Sequence, residues 1–250
     1  MSKPTSESNE PVRLSKLMAQ RGLCSRREAD AWIERGLVLV DGVPITQLGT
    51  KIRPNQTITL ANAARQQQQQ LATILLNKPV GYVSGQPEKN YVPAVTLINA
   101  ESQVLGQDGR RFDPRDLRGL APAGRLDIDS RGLLIFTQDG RIAKRLTSAE
   151  GEIEKEYLVS IEGEPGIDEM RRLRHGIVLD DRPLRPCQVE PAGVGRLRFT
   201  LREGRHRQIR RMCEDVGLKV RSLLRTRIGR IRMYDLPEGG WRFLQPDEQF

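Results

Sequence analysis

Residues 121–140 read APAGRLDIDSRGLLIFTQDG, a stretch that changes character at Ser130. Up to that serine it is charged and contains glycine; from Leu133 to Phe136 it is apolar without a break. An apolar run this short, followed by the turn-forming Gln138, Asp139 and Gly140, predicts a strand buried on both faces. Asp127 stands just ahead of that strand, with Arg125 and Arg131 on either side of it in sequence. Neighbouring cations favour the charged form of a carboxylate, so the loop has the makings of a reactive site.

The surrounding segments set the fold class. LATILLNKP (71–79) is an apolar strand that Pro79 closes. EYLVSIEG (156–163) alternates, with Tyr157, Val159 and Ile161 on one face. RLRFTLREG (196–204) does the same, with Leu197, Phe199 and Leu201 inward and Arg196, Arg198 and Arg202 outward. RQIRRMCEDVG (207–217) switches to helical spacing through Ile209, Met212, Cys213 and Val216, and Gly217 ends it. Strands with few helices between them predict an α+β domain with a mostly antiparallel sheet, spanning residues 71–250.

Ahead of it, residues 12–60 form a compact unit of helices and short strands. In LCSRREAD (23–30), Ser25 and Glu28 make an S-x-x-E capping box, which starts a helix predicted to run to about Arg35, with Gly36 as its left-handed stop. Arg26 and Arg27 then occupy the first turn, at the positive end of the helix dipole, where acids are the stabilising choice. Their sign agrees with Arg13, Lys16 and Arg21 nearby in sequence, and together they read as a cradle for phosphates. Trp32 is better placed in the core of this unit than on a base. ANAARQQQQQ (61–70) reads as a polar linker, and residues 1–11 as a disordered tail.

Composition narrows the function classes. The formal net charge is +9 and the pI near 9.9, which points to a polyanionic partner. No apolar run approaches a membrane span, and the polar N-terminus does not read as a secretory signal. Three separated cysteines form neither a disulfide framework nor a metal-ligand pair, which suits a reducing cytoplasm. With two histidines, no Ser–His–Asp pattern, no Walker loop and no dinucleotide fingerprint, neither a metal nor a nucleotide cofactor is expected. Four readings of Asp127 stay open on the residues alone. It can be a salt-bridged loop anchor, the nucleophile of a phosphatase-like loop (DIDS set against D-x-D-x-T/S), one of an acid–base pair with Asp129, or a lone nucleophile or base at a sugar carbon.

Two resemblances extend this reading. RLSKLMAQRGLCSRREADAWIERGLVLVDGVPI resembles an S4 RNA-binding domain, a small helical and stranded module whose charged face binds structured RNA. LLNKPVGYVS, GRLDIDSRGLLIFTQDG, EKEYLVS and GRHRQIRRMCEDVGLKVRSLLRTRIG together resemble the RsuA-type pseudouridine synthases, in details most like the RluF branch. The likeness spans nearly all of residues 71–244. It implies an isomerase that turns a specific uridine of ribosomal RNA, large-subunit RNA above all and transfer RNA as a second candidate, into pseudouridine. It further implies Asp127 as the catalytic aspartate, Tyr157 as the residue that stacks on the base, and Arg210 as the partner of the aspartate. Arg125, Arg207 and Arg211 are expected to hold phosphates. The expected form is a cytoplasmic monomer. The competing expectation is a ribosome-assembly or RNA-binding factor without activity; the complete set of Asp127, Tyr157 and Arg210 favours the enzyme. GQDGRRFDPRDLRGLAPAG (106–124) departs from the pattern as a basic insertion, either an RNA contact or a mobile loop.

Overall fold

The computed structural model describes residues 10–86, 90–148 and 152–250. Apart from Glu10 and Pro11, both exposed, the tail expected at the N-terminus lies outside the described residues. The chain divides into two compact units, one running to Leu71 and including Asp139–Lys144, the other made of Ala72–Gln138 and Arg145–Phe250.

The smaller unit packs the helices Leu14–Gln20 and Arg26–Glu34 on a three-stranded antiparallel sheet, ordered Val43–Ile45, Val38–Val40, Ile58–Leu60. Its second helix begins as its sequence requires. The Glu28 N–H donates to Ser25 Oγ at 3.2 Å, and the Ser25 N–H donates to Glu28 Oε2 at 2.7 Å. Gly36, at φ +67°, turns the chain out of that helix. Leu14, Leu17, Met18, Ala29, Trp32 and Ile33 fill the core, so Trp32 is a packing residue.

The glutamine-rich segment is not the open linker that its composition suggested. Asn62–Gln69 is a helix, and Ala64 is buried in the small core. Gln68 Nε2 donates to the Leu23 carbonyl at 2.7 Å, and Arg35 Nη1 donates to Gln67 Oε1 at 3.2 Å. Alanine and glutamine are both good helix formers, and one small apolar residue suffices to seat a turn on a core.

The larger unit is built on a mixed sheet. From one edge it runs Gln188–Pro191, Arg196–Leu201, Lys155–Glu162, Lys219–Ile228, Arg131–Thr137, Thr73–Lys78, Trp241–Phe243. Neighbours pair antiparallel except Arg131–Thr137 with Lys219–Ile228, which are parallel and meet at Arg131 with Leu224 and Gly132 with Arg225. Leu133 to Phe136 are buried on both faces, and Tyr157, Val159 and Ile161 face one side with Leu197, Phe199 and Leu201. Helix Gln208–Asp215 adds Ile209, Met212 and Cys213 to the same core.

Gly132 makes the parallel contact feasible. Its φ is +108°, and a Cβ there would lie 2.4 Å from the Arg225 carbonyl oxygen, inside any tolerable contact. The basic insertion is packed into the fold. Phe112 meets Trp241 edge-on, the Arg110 guanidinium lies 4.0 Å from the Phe243 ring centroid, and Arg110 pairs with the buried Asp116 at 2.6 Å. Gln103 spans it, donating to the Arg110 carbonyl and accepting from the Phe112 N–H.

Candidate active site

The Asp127 loop lies between the short strand Ala121–Pro122 and the core strand Arg131–Thr137. Both strands pair with each other, so the loop's two ends are tied to one sheet. Its middle is held by main-chain bonds. Ser84 Oγ donates to the Leu126 carbonyl at 2.7 Å and accepts from the Leu126 N–H at 2.8 Å. The Gly81 N–H donates to the Ile128 carbonyl, and the Ser130 N–H closes a turn on the Asp127 carbonyl. These bonds fix the backbone on either side of Asp127 and leave its side chain 30% accessible. A carboxylate presented from a loop supported in this way is preorganised, as a functional group must be to act at a site.

Asp127 and Tyr157 both line a cleft of about 1130 Å³. Pockets of roughly 300–1,000 Å³ hold drug-sized ligands, so this one has room for a nucleotide and part of its neighbours. Tyr157 is 8% exposed, which makes it a wall of the cleft rather than a free side chain. Arg125, Arg207 and Arg210 line it as well, so cations surround the carboxylate.

The arginines are divided differently from the expectation. Arg210 was expected to pair with Asp127; instead its Nη2 donates to the Asp129 carbonyl at 2.9 Å and sits 3.3 Å from the Asp129 carboxylate. Arg207 Nη1 is the group 4.0 Å from Asp127 Oδ2, and its main engagement is also with Asp129, at 3.1 and 2.8 Å. The reason is local. Arg207 is left-handed, at φ +50°, just before the helix, which turns it and Arg210 towards the same stretch of loop. Asp129 thus takes up two guanidinium groups. Burial pushes its carboxyl up, but the Arg207 hydrogen bond and the charges of Arg210 and Arg207 outweigh that and hold it below the usual range.

Three further cations lie at or beside the cleft, and the sequence assigns none of them a role. Arg225 is 2% exposed on a strand whose neighbouring inward residue is Leu223. Its Nε donates to the Leu133 carbonyl at 2.7 Å and its Nη1 to the Arg125 carbonyl at 3.2 Å, so one side chain ties the core strand to the Asp127 loop. Its guanidinium carbon is 6.0 Å from the Tyr157 ring centroid. Lys78, at the end of its strand, donates to the carbonyls of Pro79 and Tyr82. Lys155 lines the cleft, and burial, then the Arg225 charge, pulls its ammonium below its usual range. An arginine two residues after the inward Leu223 on the same strand is the available signal for Arg225.

The other expected RNA ligands are distributed over both units. Arg13, Lys16, Arg26 and Arg27 are exposed on the smaller one. Arg21 is partly spent on structure, donating to the carbonyls of Gln56 and Pro54. Arg211 pairs with Asp180 at 2.7 Å and is not among the residues that line the cleft.

A small basic module and a mixed-sheet domain that sets Asp127 and Tyr157 in a cationic cleft are the features of an RNA-modifying enzyme, and comparison with known proteins gives the same class. Residues 72–215 match the family model described as RNA pseudouridylate synthase, and residues 12–58 match the S4 domain. The chain is 35% identical over 240 residues to the dual-specificity RNA pseudouridine synthase RluF of Escherichia coli O6:H1, covering 95% of this chain and 77% of that protein. It is also 35% identical over 249 residues to an uncharacterized RNA pseudouridine synthase of Mycobacterium bovis, covering 97% and 94%. A solved crystal structure of a pseudouridylate synthase superposes with a TM-score of 0.64 at 27% identity, over 94% of this chain and 96% of that one. The chain belongs to the RNA pseudouridylate synthase family, as an isomerase with an S4 domain ahead of its catalytic domain.

Proposed function

We propose that this isomerase converts a uridine of ribosomal RNA, large-subunit RNA first and transfer RNA second, with Asp127 as the catalytic carboxylate. The observation that carries the assignment is the placement of Asp127: a partly accessible carboxylate on a loop pinned through Leu126, at a cleft walled by Tyr157. The similarity to a dual-specificity enzyme supports more than one RNA substrate. The protein acts as a monomer in the cytoplasm, where such RNA is made and folded.

The reaction breaks the C1′–N1 bond, turns the base and joins C5 to C1′. Nothing is oxidised and no external group is transferred. Asp127 either attacks C1′ or removes a ribose proton, as nucleophile or base. The target uridine leaves its stack first, at a cost of a few kcal/mol, which stacking on Tyr157 partly offsets. Arg210 acts through Asp129. By holding that residue's carbonyl and carboxylate, it fixes the loop two residues from the reacting group. Arg207, 4.0 Å from Asp127, and Arg125 are the cations of this cleft best placed for the phosphates flanking the flipped nucleotide. Arg13, Lys16, Arg26 and Arg27 on the S4 unit supply phosphate contacts, with Arg21 and Arg211 contributing where their present partners release them.

The test is pseudouridine mapping by carbodiimide treatment and primer extension, on RNA from cells lacking this protein. Restoring the wild type returns a stop in ribosomal or transfer RNA; restoring Asp127→Asn does not. A stop that returns with the Asn variant removes Asp127 from the mechanism. No change in any of these RNAs overturns the substrate assignment.

A further inference from the structure

Arg225 is the most deeply buried cation in the wall of the cleft, and its hydrogen bonding is incomplete. Nε and Nη1 are committed to the Leu133 and Arg125 carbonyls, while Nη2 is buried and has no partner among the described residues. A buried donor left without an acceptor is destabilising, and more so when it is charged. The position is also hard to build. It depends on the parallel contact that only a glycine at 132 permits, since any Cβ there would strike the Arg225 backbone. A donor set in place at such cost suits an acceptor that arrives with the substrate.

The chemistry of the reaction supplies one. When C1′–N1 breaks, the bonding pair stays on N1, and the negative charge spreads over the 2- and 4-oxygens of the detached uracil. The base then turns, C5 provides the pair for the new bond to C1′, the C5 proton leaves, and N1 takes up a proton. Charge and atoms balance by whichever route Asp127 acts. Between the two bonds, however, an anionic base must be held in a site that excludes water. A preorganised cation is worth most where charge develops out of solvent.

We infer that Arg225 is a catalytic residue of this site: its guanidinium, fixed by two carbonyls 6.0 Å from Tyr157, gives its free Nη2 to an oxygen of the detached uracil. Lys155, on the cleft wall, adds a second cation to the same region. Tyr157 would hold the face of the base while Arg225 holds its charge. The inference rests on the reading of this cleft as the active site.

The test compares wild type, Arg225→Lys, Arg225→Met and Asp127→Asn in single-turnover conversion of a substrate RNA, alongside RNA affinity and thermal unfolding. Loss of a preorganised donor at a developing oxyanion costs about 100–1,000-fold in rate. That loss is expected for both Arg225 variants with RNA affinity unchanged; Arg225→Lys, which keeps the charge, is the variant to rely on where Arg225→Met does not fold. A second substrate with 5-fluorouridine at the target separates charge from position, read as single-turnover cleavage of the C1′–N1 bond. Fluorine withdraws electrons, so its detached base carries the charge with less help, and the deficit of the variants shrinks. Equal deficits with both bases would reduce Arg225 to a clamp on the loop and overturn the inference, as would full rates in both variants or a loss confined to RNA affinity. If Asp127→Asn is inactive while the Arg225 variants keep full rate, only this inference fails; if Asp127→Asn keeps full rate, the reading of the cleft itself fails.

Discussion

Lys78 is fully buried, yet its ammonium is solvated by protein, through the carbonyls of Pro79 at 2.7 Å and Tyr82 at 3.0 Å. Burial, with the Arg225 charge second, pulls its pKa down to about 8, against the opposing pull of Asp127, Asp129 and Glu238. Between that value and the unfolded value of 10.5, the unfolded chain binds more protons than the folded one. Stability from this residue therefore rises with pH across that window, and the full cost of the buried charge is present below it. Thermal unfolding of wild type and Lys78→Met from neutral to alkaline pH should show the wild type gaining on the variant above pH 8; a constant difference would mean that Lys78 does not titrate there. At this scale the sequence was informative for where Asp127 and Tyr157 stand, because their settings are local: a charged loop before an apolar run, an aromatic on an alternating strand. Which arginine faces which aspartate was not legible. Arg210 and Asp129 are far apart in sequence, and a one-residue left-handed turn at Arg207 decides where the guanidinium groups go.

The parallel pair of core strands depends on one residue. Gly132→Ala would place a side chain at φ +108°, 2.4 Å from the Arg225 carbonyl oxygen. The strained backbone alone costs ~1–3 kcal/mol, and the strands must also separate. The expected result is a lower urea midpoint and a slower single turnover, because Arg225 moves with its strand; an unchanged midpoint would show that the contact is dispensable. Elements with a clear period were legible. Alternation placed Leu197, Phe199 and Leu201 inward, and the capping box marked the start of the Arg26–Glu34 helix. The packing of the glutamine segment is not legible, because low complexity says nothing of contacts such as those that Ala64, Gln67 and Gln68 make with the small unit. The insertion reads in the sequence as an RNA contact or a mobile loop; that Phe112 and Arg110 pack on Trp241 and Phe243 was not legible, because those partners lie more than a hundred residues away in the chain.

For the whole molecule, the net charge of +9 makes RNA binding salt-dependent. If Arg26 and Arg27 each neutralise a phosphate, Arg26→Gln with Arg27→Gln should weaken binding across RNA sequences and reduce the slope of log affinity against log salt by about 1 per arginine. Affinity titrations between about 50 and about 200 mM salt would measure this. An unchanged slope would leave the two arginines as solvated surface charges. The sequence by itself determined the class of this protein, because charge, periodicity and the motifs around Asp127 are properties of contiguous segments. It also determined the helix whose first turn carries those two arginines, since capping is settled within four residues. Only the tertiary structure decided how the site is wired: that Ser84 grips the Asp127 loop, that Arg210 and Arg207 converge on Asp129, and that Arg225 reaches Arg125 with one donor to spare. Those contacts join segments tens of residues apart, and their partners are chosen by sheet register and by the turn at Arg207, neither of which leaves a local trace in the chain.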